Sequence, residues 1–551
     1  MDNFKLNEEQ KEVIYSDLNT SKIISAPPGA GKTTLIAKRI SFLINHHHIK
    51  NPYKILALTF SNAASNEMKK KISDEMKLSK NLFYITTFHG FCFNVIKAYG
   101  DYIGLNKNFK IYTFRNKHNN PRLEHAFDHF GLNRNEREKF NEWKINYVLK
   151  CKKNNNEKFL SILKYYYSFL IENNMIDYDG LLIYTYKLFK NNDKILEYYR
   201  SPFKIILVDE FQDTNSLQFK ILDLLVNGNS KNKKNIFIFT DPKQSIYAFQ
   251  GANYNNHPLA IKNFNCQELK LTECHRFKNK AIEQLSKSIS NYIDKKTDDN
   301  SKIKITENLP KYFIFKTNND EYEFIINEIN KLNKNGIKYE NICILAPTKK
   351  TLYELIGKME QLKFKNFIFI NDYKNKWDSQ IARLNHLSKT DLNNYSNLYS
   401  LISSNLKMNK DFKNLILKES KNTDKKYSNL EIKDKLSNFI NHMALNYDTF
   451  IKNNNFLKDK VFLSTIHGSK GLQFDVSFIC GLNSNSIPSY RDCANNCYEK
   501  TGELNKASLN LLNVAVSRSK NHLYLTSTHD YKTHETCILK PFYRYLKLSS
   551  E

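Results

Sequence analysis

The sequence predicts an α/β protein built from two parallel-sheet cores, and three observations support that prediction. Short apolar, β-branched runs, each bounded by turn residues and followed by a helical pattern, recur in two blocks, as in parallel sheets joined by helices. The 551 residues correspond to about three or four domains at about 150 residues each. Because 41% of the residues are apolar and 25% are charged, the composition is that of a globular protein and excludes disorder throughout.

The predicted strands fall into two groups along the chain. The first block contains residues 22–25, 55–59, 83–86, 205–208 and 236–239. The second block contains residues 269–271, 342–346, 461–465, 477–480 and 523–526. We therefore expect two similar α/β cores.

Two strand-poor stretches interrupt these blocks. Residues 106–201 change to long polar and apolar segments typical of helices, and residues 374–457 are rich in Asn, Lys, Ser and Leu. The predicted domains are a first core over residues 1–105 and 202–262, a helical insertion over 106–201, a second core over 263–373 and 458–551, and a small insertion over 374–457. The second insertion is expected to be a small helical unit or a partly mobile segment.

Charge and cysteine content restrict the class of protein. The 84 Lys and Arg against 56 Asp and Glu give a net charge of +28, which favours a polyanionic partner. A coding bias towards Lys, Asn, Ile and Tyr explains this excess of positive charge equally well.

No uncharged apolar run can span a bilayer, and the N-terminus lacks the layout of a secretory signal. A soluble, cytoplasmic protein without a membrane partner is therefore expected. Nine scattered cysteines predict reduced thiols, and Cys493 and Cys497 lack a second ligand pair for zinc.

The segment APPGAGKT at residues 26–33 follows a predicted strand and precedes a helical pattern. This is the context of a phosphate-binding loop. Gly29 and Gly31 let the backbone turn with its N–H groups pointing inward. Lys32 can then reach the β- and γ-phosphates, and Thr33 can hold Mg²⁺. The alternative is an ordinary Gly-containing turn between a strand and a helix.

A second chemical signal is an apolar strand that ends in two acids. Residues 205–208 run directly into Asp209 and Glu210. Asp209 suits Mg²⁺ ligation, and Glu210 suits polarising an attacking water. A solvated strand end is the alternative, but the combination with Lys32 favours nucleotide hydrolysis over nucleotide binding alone.

Further motifs accompany these two in a fixed order. They are LNEEQ at 6–10, TFSNAA at 59–64, TFHG at 87–90, DEFQDT at 209–214, DPKQSIYAFQG at 241–251, ECHR at 273–276, TIHGSKGL at 465–472 and VAVSR at 514–518. In this order the motifs resemble those of the UvrD/Rep-like superfamily 1 DNA helicases, and they span almost the whole chain. The resemblance implies two RecA-like parallel-sheet motor domains with a helical insertion in the first and a small insertion in the second.

The resemblance also implies ATP and Mg²⁺ as cofactors, bound in the cleft between the two cores. Gln10 would read the adenine edge, His275 takes the place of the family's adenine-stacking Tyr, and Gln244 resembles the γ-phosphate sensor. Arg276 and Arg518 resemble the arginine fingers of the second core. The residues implied to bind ATP are Gln10, Gly29, Ala30, Gly31, Lys32, Thr33, Thr34 and His275; those implied in catalysis are Lys32, Glu210, Gln244, Arg276 and Arg518; those implied to hold Mg²⁺ are Thr33 and Asp209.

Single-stranded DNA would lie across the tops of both cores, with its bases stacked on aromatic side chains. The contacts implied by the resemblance are Thr59, Phe60, His89, Phe249, Thr465 and His467. Taken alone, a Phe is more often a core residue and a His more often a structural one. The placement of these residues inside the motifs favours the DNA role.

Several positions depart from the family pattern. Phe249 stands where Trp is common, and Gln250 stands where Arg is usual. Gln473 replaces a Glu, and the paired Arg before the last motif are here Leu509 and Asn510. None of these changes removes a group that hydrolysis needs.

Three functions are compared. The favoured hypothesis is an ATP-dependent motor that moves 3′ to 5′ on single-stranded DNA and unwinds duplex at single-strand/double-strand junctions. The alternative is a DNA-stimulated ATPase subunit that senses DNA ends or single strands and regulates a separate nuclease in a defence or repair complex. The reduced second insertion and the short segment after Thr526, too short for a fused nuclease, motivate this alternative. A phosphate-loop phosphotransferase is disfavoured because it predicts no paired arginines from a second core, whereas Arg276 and Arg518 lie in recognisable motifs far from Lys32. Repair or replication proteins are the other expected partners.

Overall fold

Two parallel β-sheets, one in each half of the chain, organise the fold. The computed structural model describes residues 6–46, 48–75, 81–113, 120–149, 156–228, 233–247, 251–253, 255–295, 308–387, 391–406, 408, 410–447, 450, 458–484, 486–487, 504–529 and 537–550. One sheet has six strands and the other has seven. The predicted α/β class with two parallel-sheet cores is therefore confirmed.

The first half of the chain contributes eight of the described strands. In chain order they are β1 (Lys22–Ser25), β2 (Lys54–Thr59), β3 (Phe83–Thr87), β4 (Lys110–Ile111), β5 (Met175–Ile176), β6 (Phe203–Val208), β7 (Asn235–Thr240) and β8 (Gln267–Lys270). Six of them form the first sheet, in the order β3-β2-β6-β7-β1-β8, while β4 and β5 pair separately. Because neighbouring strands of the first sheet are parallel, the carboxyl ends of β1, β6 and β7 meet at one edge.

Helices cover both faces of this sheet and build the first insertion. They are α1 (Glu8–Tyr15), α2 (Lys32–Asn45), α3 (Asn62–Glu75), α4 (Phe88–Tyr99), α5 (Pro121–His129), α6 (Arg134–Val148), α7 (Glu157–Glu172), α8 (Tyr178–Asn191), α9 (Asp193–Arg200), α10 (Ser216–Asn227) and α11 (Asn256–Phe264). The next helix, α12 (Lys280–Ile293), belongs to the second core, whose apolar cluster includes its Ile282, Leu285 and Ile289. Along β2, Leu56 and Leu58 join one apolar cluster, whereas Ile55 and Ala57 join the cluster on the opposite face. This alternation buries both faces of the sheet, as expected for a parallel sheet between helices.

The second half repeats this plan with a larger sheet. Its strands are β9 (Lys311–Phe315), β10 (Ile342–Ala346), β11 (Phe367–Phe369), β12 (Val461–Thr465), β13 (Phe474–Ile479), β14 (Ser519–Thr528) and β15 (Lys547–Ser550), in the order β11-β12-β10-β13-β14-β9-β15. Its helices are α13 (Asn318–Lys334), α14 (Lys349–Gln361), α15 (Ile370–Leu387), α16 (Leu398–Asn405), α17 (Lys410–Lys426), α18 (Ile432–Leu445) and α19 (Lys506–Val516). In the part of the chain that the structure describes, none of the helices combines the length and hydropathy needed to cross a membrane.

One strand prediction was wrong in its assignment. Residues 269–271 were expected in the second core, but β8 pairs with β1 and completes the first sheet. Strand β9 and the two edge strands of the second sheet, β11 and β15, are not predicted. Local sequence patterns identify an extended segment but carry no information about the sheet that accepts it, and a strand as short as β11, with three residues, offers too few positions for a periodic pattern.

The second insertion folds around its own core. Helices α15–α18 surround a cluster that includes Trp377, Phe412 and Phe439, each at most 1% exposed. The stretch expected as a small helical unit or a mobile segment is thus helical where the structure describes it.

Helix α18 of this insertion docks on the first half of the molecule. The Asn441 side chain accepts a hydrogen bond from the backbone N–H of Ile111 (2.9 Å) and donates one to the carbonyl of Phe109 (2.8 Å). The Tyr178 hydroxyl donates to the carbonyl of Ala444 (3.1 Å). Because the oxygen of the Asn441 amide accepts from one backbone group and its nitrogen donates to another, Asn441 extends the hydrogen bonding of β4 as a third strand would.

We expect Asn441→Ala to lower the free energy of unfolding by about 2–4 kcal/mol, because it orphans a buried N–H and a buried carbonyl. Asn438, whose side chain accepts a hydrogen bond from Lys97 at the same contact, is the matched control, and Asn438→Ala should cost about 1 kcal/mol or less. Urea unfolding followed by tryptophan fluorescence suits the measurement, because Trp143 lies in the first insertion and Trp377 in the second. Equal effects of the two substitutions would contradict the docking role of Asn441.

Candidate active site

The predicted phosphate loop connects β1 to α2. Gly29 and Gly31 adopt φ values of 84° and 81°, in the left-handed region that glycine adopts without strain. Lys32 is the first residue of α2, is buried, and donates from Nζ to the carbonyl of Ala26 (3.1 Å). The loop therefore presents a buried cation at the N-terminus of a 14-residue helix, where backbone N–H groups favour an anion.

The remaining loop residues lie beside this cation. Ala30 is buried and its N–H bonds the carbonyl of Pro27 (3.2 Å). Thr33 is the second residue of α2, and the hydroxyl of Thr34 accepts a hydrogen bond from Lys71 of α3 (2.9 Å). The loop, α2 and α3 are thus connected by hydrogen bonds.

Residues 271–276, which we call the crossover segment, leave β8 and run across the phosphate loop towards the second core. The N–H of His275 donates to the carbonyl of Gly29 (3.0 Å), and the Cys274 thiol donates to the carbonyl of Pro28 (2.7 Å). A Cβ atom on Gly29 would lie 2.3 Å from the Cβ of Arg276 and 2.8 Å from the Sγ of Cys274. Glycine is therefore required at position 29 both for its φ angle and for this close approach.

The crossover segment is also attached to α1, which carries Gln10. The Glu9 carboxylate accepts hydrogen bonds from the N–H and the hydroxyl of Thr272, at 2.7 and 2.9 Å. Gln10 Nε2 lies 3.3 Å from Nε2 of His275. Gln10 Oε1 accepts from the N–H of Asn7 in a capping box that starts α1. The two residues predicted at the nucleotide base are therefore brought together.

Carboxylates converge on Lys32 from the neighbouring strand ends. Asp209 and Glu210 follow β6, and Asp241 follows β7. Burial and the charge of Glu210 raise the pKa of Asp209 to about 7. Burial opposes ionisation of Glu210, but the charges of Lys32 and Lys470 outweigh it and hold the pKa of Glu210 below its ordinary value. Glu210 is thus ionised and can accept a proton, whereas the ionisation of Asp209 depends on a nearby cation.

The backbone at Glu210 is itself unusual, because a non-glycine residue there has φ of 51°. Gln212 donates to the Glu210 carboxylate, and the N–H of Glu210 donates to Asp209 Oδ1 (2.9 Å). Such left-handed positions are costly and occur where surrounding contacts impose them, often at functional sites. The carboxylate of Glu210 is therefore held in a fixed direction.

Two arginines of the second half complete the cleft. Arg518 is buried, and its Nη2 donates to Gln244 Oε1 (3.1 Å) while its Nη1 donates to the carbonyl of Leu472 (3.1 Å). Burial and the charge of Arg276 lower the pKa of Arg518 to about 9. Arg276 Nη1 donates to the carbonyl of Ser517 (2.9 Å). Gln244 also donates from Nε2 to Asp241 (2.6 Å), so its side chain connects the two halves.

These donors fit a magnesium nucleotide. Mg²⁺ prefers carboxylate oxygens and usually completes its coordination with phosphate oxygens and water, so Asp209, which follows β6, and Thr33, the second residue of α2, could serve as ligands. Lys32, Arg276 and Arg518 could supply the positive charge that a triphosphate requires.

The residues predicted to contact DNA lie in two places. Phe60 is 39% exposed and stacks on Tyr247, with ring centroids 5.2 Å apart. The ring of His467 lies 6.4 Å from the same Tyr247, and burial with the charge of Lys470 lowers the pKa of His467. His89, by contrast, packs edge-on against Tyr178 at 5.4 Å, beside the docked α18.

Thr59 and Thr465 end equivalent strands of the two sheets. The hydroxyl of Thr59 donates to the carbonyl of Ser61 (3.0 Å), and that of Thr465 accepts from the N–H of Gly468 (3.3 Å). Each threonine thus starts the turn that carries the next motif residues. The predicted contact at Phe249, together with Gln250, lies outside the described residues.

Sequence reasoning missed three contacts across the cleft. Lys470 bonds Asp213, Asn510 donates to the carbonyl of Ser245 (3.1 Å), and Tyr247 donates from its hydroxyl to the carbonyl of His467 (3.0 Å). Lys470 and Tyr247 lie inside the quoted motifs, and Asn510 was identified only as a departure from the family. Their partners are 220 to 265 residues away in sequence, so only the folded chain reveals the pairs.

Comparisons with known proteins agree with this geometry. The UvrD/REP helicase N-terminal domain family matches residues 6–265, and the UvrD-like helicase C-terminal domain family matches residues 365–530. The chain is 28% identical to a probable DNA helicase II homolog of Mycoplasma capricolum subsp. capricolum, over 97% of the chain and 86% of the relative. It is 27% identical to the probable DNA helicase II homolog of Mycoplasma genitalium, over 95% and 84%. It is also 28% identical to the ATP-dependent DNA helicase PcrA of Staphylococcus aureus, over 62% of the chain and 48% of the relative.

We expect Gly29→Ala to destabilise the nucleotide-free protein more than Gly31→Ala. Both glycines have positive φ, so each alanine should cost about 1–2 kcal/mol of unfolding free energy. Only at Gly29 would the new methyl group meet neighbouring atoms, since no atom lies within 4 Å of a Cβ on Gly31. The clash should add about 1–3 kcal/mol. Urea unfolding of both variants tests this, and equal losses would show that the crossover segment does not press on Gly29.

Proposed function

Because the chain belongs to the UvrD/Rep-like family of ATP-dependent DNA helicases, we propose that it moves 3′ to 5′ along single-stranded DNA and separates duplex ahead of it. One observation carries the proposal. The charges of Lys32 from the first core and of Arg518 from the second both act on Glu210, and Arg518 also donates to Gln244 of the first core (3.1 Å). A site divided between two cores is suited to convert nucleotide turnover into relative motion.

The proposed nucleotide contacts follow the loop geometry. Lys32 and the N-terminus of α2 bind the phosphates, while Thr33 and Asp209 hold Mg²⁺. The Mg²⁺ supplies charge neutralisation on the phosphates when it is bound. Gln10 and His275 lie beside the phosphate loop on the side of α1, where they would contact the base.

Hydrolysis is assigned to residues of both cores. Glu210 orients the attacking water and accepts its proton, a role supported by its lowered pKa and fixed direction. Arg276 and Arg518 stabilise the charge that develops on the transferred phosphoryl group. Gln244 connects Asp241 to Arg518, so it is placed to transmit the state of the phosphates to the second core.

Single-stranded DNA is proposed to cross the cleft at the Phe60–Tyr247 pair. Phe60 presents an exposed ring, and His467 of the second core borders the same Tyr247. Thr59 and Thr465 would contact phosphates at the ends of the two equivalent strands. The net charge of +28 supports a polyanionic partner.

Glu210→Gln should retain ATP binding and lose hydrolysis, by about 10²–10⁴-fold in kcat, because the amide cannot accept the proton. Lys32→Ala should lose both properties. Glu268→Gln on the exposed β8 is the control and should behave as the unmodified chain. Steady-state hydrolysis with a separate nucleotide-binding assay measures this, and appreciable turnover by Glu210→Gln would overturn its assignment.

Single-stranded DNA should stimulate hydrolysis, and the purified chain should displace a strand from a duplex that carries a 3′ overhang but not a 5′ overhang. Phe60→Ala should weaken DNA binding by about 1–2 kcal/mol through the loss of a stacking ring. Tyr198→Ala removes a ring that is 64% exposed on α9 and serves as the matched control. Stimulation without displacement would favour the ATPase subunit that regulates a partner, and the absence of stimulation would overturn the motor.

A further inference from the structure

A turn of the second core reaches into the first core directly beside the candidate active site. Residues 467–472, which we call the coupling turn, follow β12. The carbonyl of His467 accepts from the Tyr247 hydroxyl (3.0 Å), and the carbonyl of Leu472 accepts from Arg518 (3.1 Å). The turn thus touches a ring at the proposed DNA path at one end and a proposed arginine finger at the other.

Lys470 lies in the middle of this turn. Its Nζ lies 2.7 and 2.6 Å from the two carboxylate oxygens of Asp213 and donates to the carbonyl of Gln244 (2.7 Å). It also lies 5.2 Å from the ring centroid of Tyr247. The side chain of Lys470 is 8% exposed and that of Asp213 is fully buried. The ammonium group is therefore bound by first-core groups although it belongs to the second core.

A buried ion pair is weak evidence for stability, because desolvation of both charges offsets much of their attraction. The geometry of this pair is more informative, since two hydrogen-bond acceptors, Asp213 Oδ1 and the carbonyl of Gln244, fix the position of the ammonium group. Gln244 is consequently held at two points by the second core. Lys470 holds its carbonyl, and Arg518 holds its side-chain oxygen.

The contacts form a continuous series between the two functional regions. A shift of the coupling turn at His467 would displace Lys470, whose ammonium group bonds the carbonyl of Gln244. The side chain of Gln244 would then change its position between Asp241 and Arg518. Two sites are energetically coupled when an element between them changes its arrangement in response to either site.

We propose that Lys470 is a positioning residue that couples DNA binding to ATP hydrolysis by fixing Gln244 relative to Arg518. The inference rests on the proposed motor function. In this proposal Lys470 contacts neither ATP nor DNA. Its loss should therefore weaken the effect of DNA on hydrolysis without weakening the binding of either ligand.

The test compares DNA-stimulated hydrolysis in three variants. Lys470→Met removes the charge and leaves Asp213 unpaired, so it is expected to destabilise the protein as well. The double variant Asp213→Asn/Lys470→Met removes both charges together and restores neutrality. Lys358→Met is the control, because Lys358 is a half-buried lysine of the second core paired with Glu323 at 3.2 Å. For each variant, kcat and KM for ATP with and without single-stranded DNA, the affinity for single-stranded DNA and the thermal midpoint are measured.

We expect the stimulation of kcat by DNA to fall about tenfold in both variants that lack Lys470. KM for ATP and the DNA affinity should change by about twofold or less, since neither ligand is contacted. The double variant should regain the thermal midpoint but not the stimulation, and Lys358→Met should keep the stimulation.

Recovery of stimulation together with the thermal midpoint would show that the pair is only structural and would overturn the inference. Unchanged stimulation in both Lys470 variants would overturn it as well, while leaving the motor function intact. If the unmodified chain shows no stimulation by DNA, the proposed function and the inference both fail, so the two failures are distinguishable.

Discussion

The balance of charge in the cleft is the constraint on which the rest of the structure depends. Asp209, Asp213 and Asp241 are all buried near the ends of two adjacent strands. The first core supplies Lys32 against them, whereas Lys470 and Arg518 come from the second core. Carboxylates removed from water need nearby cations or must take up protons. The first core therefore has a complete electrostatic environment only when the second core is in contact with it, and the two sheets are interdependent for this reason.

The central strands and the main chemical groups could be predicted from the sequence because both depend on local patterns. Buried parallel strands such as β6 and β7 are continuous apolar runs, and the acids that follow them end at one edge by topology. The sheet that β8 joins could not be predicted, since this strand is largely exposed and the tertiary fold decides its partner. Lys470 could be located within a motif, but its partner Asp213 is 257 residues away. Its role depends on a contact that no local pattern encodes.

The second insertion has its own apolar core and a specific contact with the first half of the chain. Helices α15–α18 enclose Trp377 in an apolar core that is separate from the cores of the two sheets. Its α18 nevertheless binds the first half through the amide of Asn441, which satisfies backbone groups next to β4. The hydrogen bonds are specific to one register, because an amide must face both an N–H and a carbonyl.

The crossover segment has a geometric consequence for the site. Residues 271–276 attach the second half of the chain to the phosphate loop, and α18 attaches it to the first insertion. These attachments add to the contacts that Lys470, Asn510 and Tyr247 make between the two cores. The attachment at the phosphate loop differs from the others, because the His275 N–H that bonds the carbonyl of Gly29 precedes Arg276 by one residue. The spacing between the phosphate loop and the backbone of this arginine is therefore set by one peptide unit of chain.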